Sequence, residues 1–260
     1  MSVLAPYVAT LVSYDAVGEP GVHVGMPSTR LTLVLPVGEP IDVGWADDAA
    51  SRRRYQANVS GLHAAPAAIH HGRRQRGVYL ELSVAGARAL LGVPASGVAG
   101  EMVEAAEVDA GLRDLPDRLA EAPRRDWGPL VETTLVAALA RHDAPGPRAE
   151  VGRALARLTG GAGVADVADE VGFSRRHLRD LVVAETGLTP QQHRRLGRFE
   201  RSHALVRRRV PLAEVAVRCG YADQSHLTRE WRALAGCSPT TWQRRELPSI
   251  QDDGASGAAP

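Results

Sequence analysis

Two short segments in the C-terminal part of the sequence carry side chains suited to reading the edges of base pairs. Arginine pairs bidentately with guanine, glutamine with adenine, and serine or threonine with either, while a carboxylate can accept from cytosine. The candidate DNA-binding residues are Ser174, Arg175, Arg176, Arg179 and Asp180 in the first segment, and Gln224, Ser225, His226, Thr228 and Arg229 in the second.

Such side chains read DNA when helices hold them in the major groove, and the surrounding residues predict such helices. Before the first segment, apolar residues at positions 164, 167, 168 and 171 form one helical stripe. Gly172 ends this helix because glycine tolerates a positive φ, and Ser174 is a good N-cap for the next helix. The pattern predicts a helix-turn-helix unit over residues 164–183.

The same pattern returns about 48 residues later. Positions 212, 215, 216 and 219 repeat the apolar stripe, Gly220 interrupts it, and Asp223 can cap the following helix. This predicts a second unit over residues 212–234. Between the units, residues 190–207 contain no helix breaker except Gly197, so one long connecting helix is expected.

The charge of the chain is uneven. Its formal net charge is +1, and all 31 basic residues are arginine. Residues 1–147 hold 13 arginines and 17 acidic residues, whereas residues 148–246 hold 18 arginines and 11 acidic residues. An arginine-rich surface is not by itself a DNA site, but here the positive excess falls on the part that carries both predicted units.

The N-terminal part has a different organisation. Short apolar and β-branched runs between glycines and prolines predict strands at 22–24, 31–35, 41–45 and 78–82. Helical patterns follow at 84–91, 96–108 and 130–141.

These patterns predict an α+β protein of two domains, with the boundary in the proline-rich segment 142–147. Residues 1–143 are expected to form a β-barrel or sandwich with short trailing helices. Residues 148–246 are expected to form an all-α double helix-turn-helix domain, and residues 247–260 a flexible tail.

Residues from about 150 to 245 resemble the DNA-binding domain of the AraC/XylS family of bacterial transcription regulators. The matching segments are Phe173–Leu178, Gly187–Pro190, Ala213–Ala216, Cys219–Arg229 and Gly236–Pro239, together with Arg198, Leu205 and Trp242. The resemblance implies two three-helix units whose recognition helices enter successive major grooves, about 34 Å apart. Asp180 departs from the family, which often carries arginine there, and Val182 and Leu227 replace its usual large aromatic residues.

The N-terminal part resembles, more loosely, the sensor domain that precedes this DNA-binding domain in many uncharacterised relatives. Pro6, Tyr7 and the segment 84–94 carry the resemblance. It implies a cupin-like β-barrel whose interior can hold a small-molecule effector.

Metal and cofactor chemistry is not expected. Cupins often bind metals through histidine, but His70 and His71 are adjacent and would point to opposite faces of a strand. Neither they nor His63 have a carboxylate partner at a suitable spacing. Cys219 and Cys237 lack the second pair that a zinc site needs, and are expected to be core residues. We therefore predict no cofactor, no metal and no catalytic residue.

The leading hypothesis is a sequence-specific transcription regulator that binds double-stranded DNA, with a small-molecule effector, RNA polymerase and a second copy as candidate partners. No apolar run approaches the ~20 residues of a membrane span, and the first residues lack a signal-peptide pattern, so a cytoplasmic location is expected. Two alternatives are a cupin-type metal enzyme carrying a DNA-binding domain and a non-specific architectural DNA-binding protein. A cysteine-dependent DNA-repair methyltransferase is disfavoured, because the N-terminal part contains no cysteine.

Overall fold

The computed structural model describes residues 3–142 and 146–246, with strands confined to the first part and the longest helices in the second. The strands are β1 (Val8–Val17), β2 (Gly21–Gly25), β3 (Leu31–Pro36), β4 (Ile41–Trp45), β5 (Arg53–Tyr55), β6 (Asn58–Ser60), β7 (Ala67–His71), β8 (Arg74–Leu82) and β9 (Met102–Glu104). The helices of this part are α1 (Val84–Leu91), α2 (Ala105–Val108), α3 (Leu115–Glu121) and α4 (Trp127–His142).

The strands form two antiparallel sheets with the orders β1-β8-β3-β6-β9 and β2-β7-β4-β5. Along the larger sheet, successive residue pairs place their side chains on opposite faces. Leu33 pairs with Leu80, and both side chains are fully buried in the core that α1, α3 and α4 help to form. The next pair, Val34 and Tyr79, lies on the other face and lines the cavity between the sheets. The predicted β-sandwich with trailing helices is confirmed.

Two N-terminal expectations need correction. The first strand, β1, was not predicted, although it is the longest of the described strands. The predicted helix at 96–108 is wrong. A 3-10 turn covers Ala95–Val98, Gly100 adopts φ 77°, and Met102–Glu104 then pairs with β6 before a single helical turn follows. Sheet pairing therefore overrides the helical pattern of this segment.

The C-terminal part is entirely helical within the described residues. Its helices are α5 (Ala149–Thr159), α6 (Val164–Glu170), α7 (Arg175–Thr186), α8 (Pro190–Arg207), α9 (Leu212–Cys219), α10 (Gln224–Ala235) and α11 (Pro239–Glu246). The connecting helix has the predicted bounds, whereas α5 and α11 are implied by the resemblance but received no bounds from the sequence patterns. The centre of the expected linker and the expected tail at 247–260 lie outside the described residues.

Each helix-turn-helix unit has its own apolar core. In the first unit, α5, α6 and α7 contribute Leu158, Val167 and Leu178, all fully buried. In the second unit, Phe199 of α8 and Trp231 of α10 are the largest fully buried side chains. This second core is continuous with the core of the β-sandwich, so α8 lies where the two parts of the chain meet.

Candidate nucleic-acid interface

The first recognition helix, α7, begins as the sequence predicts. Gly172 turns the chain at φ 74°, and the Ser174 side chain accepts a hydrogen bond of 3.1 Å from the His177 backbone N–H. Leu178 and Val182 face the core. The five candidate residues of this unit are all exposed: Ser174, Arg175, Arg176, Arg179 and Asp180. Their positions on the first turns of α7 leave them free to meet a partner.

Asp180 changes the charge of this surface. Its carboxylate lies 3.6 Å from the Arg179 guanidinium, and both side chains are more than half exposed. An exposed pair of this kind contributes about 0–1 kcal/mol to stability. The carboxylate also offsets one arginine charge on the exposed face of α7.

The second recognition helix, α10, has the same start. Gly220 adopts φ 73°, and the Asp223 carboxylate accepts a 2.6 Å hydrogen bond from the His226 N–H. Gln224 and Arg229 are exposed, as is Ser225. These three side chains have the access that base readout requires.

His226 and Thr228 are less accessible than the sequence suggested, because both are half-buried. The Ala222 N–H donates to His226 Nδ1 at 3.2 Å, and the Thr228 hydroxyl donates to the Gln224 carbonyl at 2.9 Å. With Nδ1 acting as acceptor, the neutral ring carries its proton on Nε2 and can donate from that atom. Both residues therefore stabilise the first turn of α10, and both lie at the edge of its exposed surface.

The position of α10 depends on a charged contact that the sequence analysis did not identify. Glu230 accepts from Arg195 at 3.3 Å and from Arg198 at 2.8 Å, which ties α10 to α8. The Arg198 guanidinium also lies 4.7 Å from the centre of the Tyr221 ring. The sequence shows that Arg195 and Arg198 lie three residues apart on a predicted helix. It does not show that Glu230 is their partner, because packing of α10 against α8 brings these residues together.

The first unit is fixed to the same helix by close packing. A Cβ at Gly197 of α8 would lie 2.7 Å from the Cα of Thr159, so the two helices approach each other too closely for a larger residue. Arg201 donates to the Thr159 carbonyl. Since α8 holds both units, it sets the spacing and orientation of the two recognition helices.

The N-terminal part contacts the far end of α7. Arg88 makes a bidentate pair with Glu185, with both N–O distances at 2.8 Å. The Ser96 hydroxyl donates to the Ala184 carbonyl at 2.7 Å. These contacts involve the last turns of α7 and leave its first turns exposed.

A cavity of 1510 Å³ lies between the two sheets and reaches the C-terminal part. Val12, Val34 and Ile69 line it from the sheets. Its opposite boundary includes Phe199, Glu200, His203 and Arg207 of α8, with Trp242 of α11. The cavity exceeds the usual range of about 300–1,000 Å³ for ligand pockets.

The histidines of the sandwich border the cavity: His23, His63, His70 and His71 all line it, so the expectation that His70 and His71 point to opposite sides is not met. His71 lies beside His23, with ring centroids 5.2 Å apart, and His70 pairs with Asp42 in the sheet register. Burial lowers the pKa values of His23 and His63 to about 4. Within residues 3–142 and 146–246, no three metal-binding side chains converge on one point, and no helix is long and apolar enough to span a membrane.

Neither Cys219 nor Cys237 forms a disulfide within the described residues. Cys219 is buried in the second unit, where burial raises its pKa, and Cys237 is half-buried. These positions agree with the expectation that both are core residues.

Sequence comparison places this helical geometry in a known class. Residues 167–245 match a family described as a helix-turn-helix domain. The probable transcriptional regulator LumQ of Photobacterium leiognathi is 31% identical over 81 residues, covering 31% of this chain and 33% of LumQ. The HTH-type transcriptional activator RhaS of Escherichia coli (strain K12 / DH10B) is 34% identical over 74 residues, covering 28% and 27% of the two chains. The chain thus spans about a third of the length of these relatives or less.

Solved structures extend the likeness to both parts of the chain. ToxT from Vibrio cholerae has a TM-score of 0.54 and 9% identity, over 92% of this chain and 98% of ToxT. ToxT with a bound unsaturated fatty acid has a TM-score of 0.52 and 8% identity, over 91% and 95%. At this identity the likeness establishes the two-part fold alone.

The fold and the sequence match define the class of the C-terminal part: a helix-turn-helix domain, similar to those of the matched transcription regulators. Its doubled unit and connecting helix α8 agree with the organisation that the resemblance to AraC/XylS regulators implied.

Proposed function

We propose that this chain is a sequence-specific transcription regulator that binds duplex DNA through α7 and α10 and responds to a small molecule held in its N-terminal sandwich. The observation that carries the proposal is the exposure of the polar side chains on the first turns of both recognition helices, while the apolar face of each helix is packed into its unit. α8 packs against both units, an arrangement that suits two contacts along one face of DNA.

The proposed readers are the exposed polar side chains of these turns. Arg229 and Gln224 are the strongest candidates in the second unit, because both are exposed and have no hydrogen bond from their side chains to another described residue. In the first unit, Arg175 and Arg176 have the same freedom, whereas Arg179 shares its charge with Asp180. We therefore expect the second unit to contribute more to sequence preference.

The test is binding of the full chain to duplex DNA from the upstream region of its own gene, compared with a scrambled duplex. A regulator prefers the natural sequence, and its affinity falls steeply with salt because arginine contacts release counterions. Arg229→Ala should cost about 1–3 kcal/mol and relax the preference at one base pair. Equal binding to both duplexes would instead support an architectural protein.

A matched control separates base contact from loss of charge. Arg113 lies in the N-terminal part and is exposed. Arg113→Ala removes the same charge as Arg229→Ala but should leave both affinity and preference unchanged. If the two variants behave alike, Arg229 is not a reader.

The cavity supports the effector role. ToxT, which shares the fold, has been solved with an unsaturated fatty acid, and the sandwich here encloses a cavity that also touches α8. Binding of an effector there would act directly on the helix that orients both units. Homodimerisation and contact with RNA polymerase are further parts of the proposal, to be measured by sedimentation of the full chain and by transcription from a target promoter.

LumQ and RhaS are named as transcription regulators, LumQ as a probable one. This favours a regulator over a cupin-type metal enzyme as the function of the whole chain. Elemental analysis of the purified full chain tests that alternative. A stoichiometric transition metal would support it.

A further inference from the structure

The end of the cavity next to α8 is lined by carboxylates and aromatic rings. Glu200 of α8 and Glu81 of β8 both line it, together with Tyr79, Phe199 and His203. Carboxylates beside aromatic faces are the side chains that attract organic cations.

Glu200 is held by neutral donors. Its Oε1 accepts from the Ser28 hydroxyl at 2.7 Å and from the Thr29 N–H at 2.7 Å, and the Thr29 hydroxyl lies 2.9 Å from Oε2. In the described part of the chain, no arginine or histidine forms an ion pair with it. Glu200 thus lines the cavity and is held there by hydrogen bonds from uncharged groups.

Glu81 lies at the same end. It accepts from Thr10 at 2.9 Å and from the Tyr79 hydroxyl at 3.2 Å, and its only ion-pair contact among the described residues is Arg30 at 3.8 Å. Burial raises the pKa of Tyr79, and the charges of Glu81 and Glu200 raise it further. Arg30 opposes this increase. Thr29 donates to Glu200 and the next residue, Arg30, lies 3.8 Å from Glu81, so both carboxylates lie at the same end of the cavity.

His203 adds an unpaired polar group. Its Nε2 is buried without a hydrogen-bond partner among the described residues, and its side chain lines the cavity. Burial lowers the pKa of His203 to about 4, with a smaller contribution from Arg207, which also lines this end. The ring is therefore neutral at pH 7, and adds no positive charge.

Arginines line both ends of the cavity. Arg30 and Arg207 lie at the α8 end, whereas Arg76 is five residues from Glu81 along β8, roughly 17 Å at the usual rise of a strand. Its Nε donates to the Val37 carbonyl at 3.0 Å, while the neighbouring Arg74 is paired with Asp15. At the α8 end, Arg30 lies 3.8 Å from Glu81, and Glu200 is the carboxylate that forms no ion pair with another described residue.

We propose that the effector is an amphipathic organic amine, with its apolar body between the sheets and its protonated nitrogen bound by Glu200 and Glu81 against Tyr79 and Phe199. This inference rests on the proposed function and specifies its ligand class. Because Glu200 belongs to α8, the amine would contact the DNA-binding domain directly.

Calorimetric titration of the full chain with octylamine, octanoate and 1-octanol tests the ligand class, since the three probes share one apolar chain. We expect octylamine to bind at least tenfold more tightly than octanoate. E200Q should weaken octylamine binding about tenfold, because a charge-assisted contact becomes neutral, and should leave 1-octanol within twofold. Glutamine retains an oxygen that can accept from Ser28 and Thr29, and E81Q provides a second variant should E200Q fail to fold.

E39Q is the matched control. Glu39 also lines the cavity, close to Gly72 and away from α8, so its neutralisation should not change octylamine binding. Tighter binding of octanoate, octylamine binding that is indifferent to both E200Q and E81Q, or no binding of any probe would each overturn the inference. Preference of the same preparation for its upstream DNA would show that the proposed function survives such a result.

Discussion

Gly197 lies at the contact on which the first helix-turn-helix unit depends, and its replacement by alanine gives a sharp test of the packing. In an ordinary helix interior, alanine is about 0.5–1 kcal/mol more favourable than glycine. Here the added Cβ would lie 2.7 Å from the Cα and 2.9 Å from the carbonyl carbon of Thr159. Both are backbone atoms, so α5 must move away from α8.

Overpacking of this kind costs about 1–3 kcal/mol. The gain in helix propensity offsets part of this cost. Gly197→Ala should therefore lower the free energy of unfolding by about 1–2 kcal/mol. With a urea dependence of about 2–3 kcal/mol/M, the midpoint should fall by about 0.3–1 M. Urea titration of the full chain, followed by far-ultraviolet circular dichroism, measures this shift.

Gly152→Ala is the control for helix propensity. Gly152 lies in α5, and a Cβ there would meet no atom within 4 Å. This variant should therefore raise the midpoint, by the equivalent of about 0.5–1 kcal/mol. If both alanine variants stabilise the protein equally, the close approach of α5 and α8 is not a constraint and the account of how α8 holds the first unit is wrong.

Three further predictions concern the contacts around α8 and α7. Glu185→Gln weakens the bidentate pair with Arg88 and should lower thermal stability while leaving 1-octanol binding unchanged, as calorimetry and a melting curve will show. His193 has its pKa lowered to about 4 by burial, so its contribution to stability should be complete above about pH 6.5 and fall as the pH drops towards 4. His193→Gln should make the fall in stability less steep, while the other buried histidines keep their contributions. Trp231→Phe removes the 2.8 Å hydrogen bond from Nε1 to Ser202 and should cost about 1–2 kcal/mol in urea titration; an unchanged midpoint would contradict this.

The local patterns of the sequence were sufficient to predict helices α7 and α10. The stripe spacing, the glycines at 172 and 220 and the caps Ser174 and Asp223 depend on interactions within a few residues, and the structure shows each of them. The strands at 31–35 and 41–45 were equally clear, because alternation of side chains also acts over short distances.

Such local patterns could not predict contacts between segments that are distant in the chain. The segment 96–108 has a helical composition, yet β6 supplies a strand partner for Met102–Glu104. The bond of Arg198 to Glu230, the position of Glu200 beside Ser28 and Thr29, and the cavity between the sheets join residues far apart in the chain.

The sequence by itself determined that two capped helices present arginine, glutamine and serine side chains, because helix periodicity and capping are local properties. Only the tertiary structure decided that α8 both aligns these helices and closes the cavity of the sandwich. Packing between the two parts of the chain places one helix against both, and no spacing within the sequence encodes that contact.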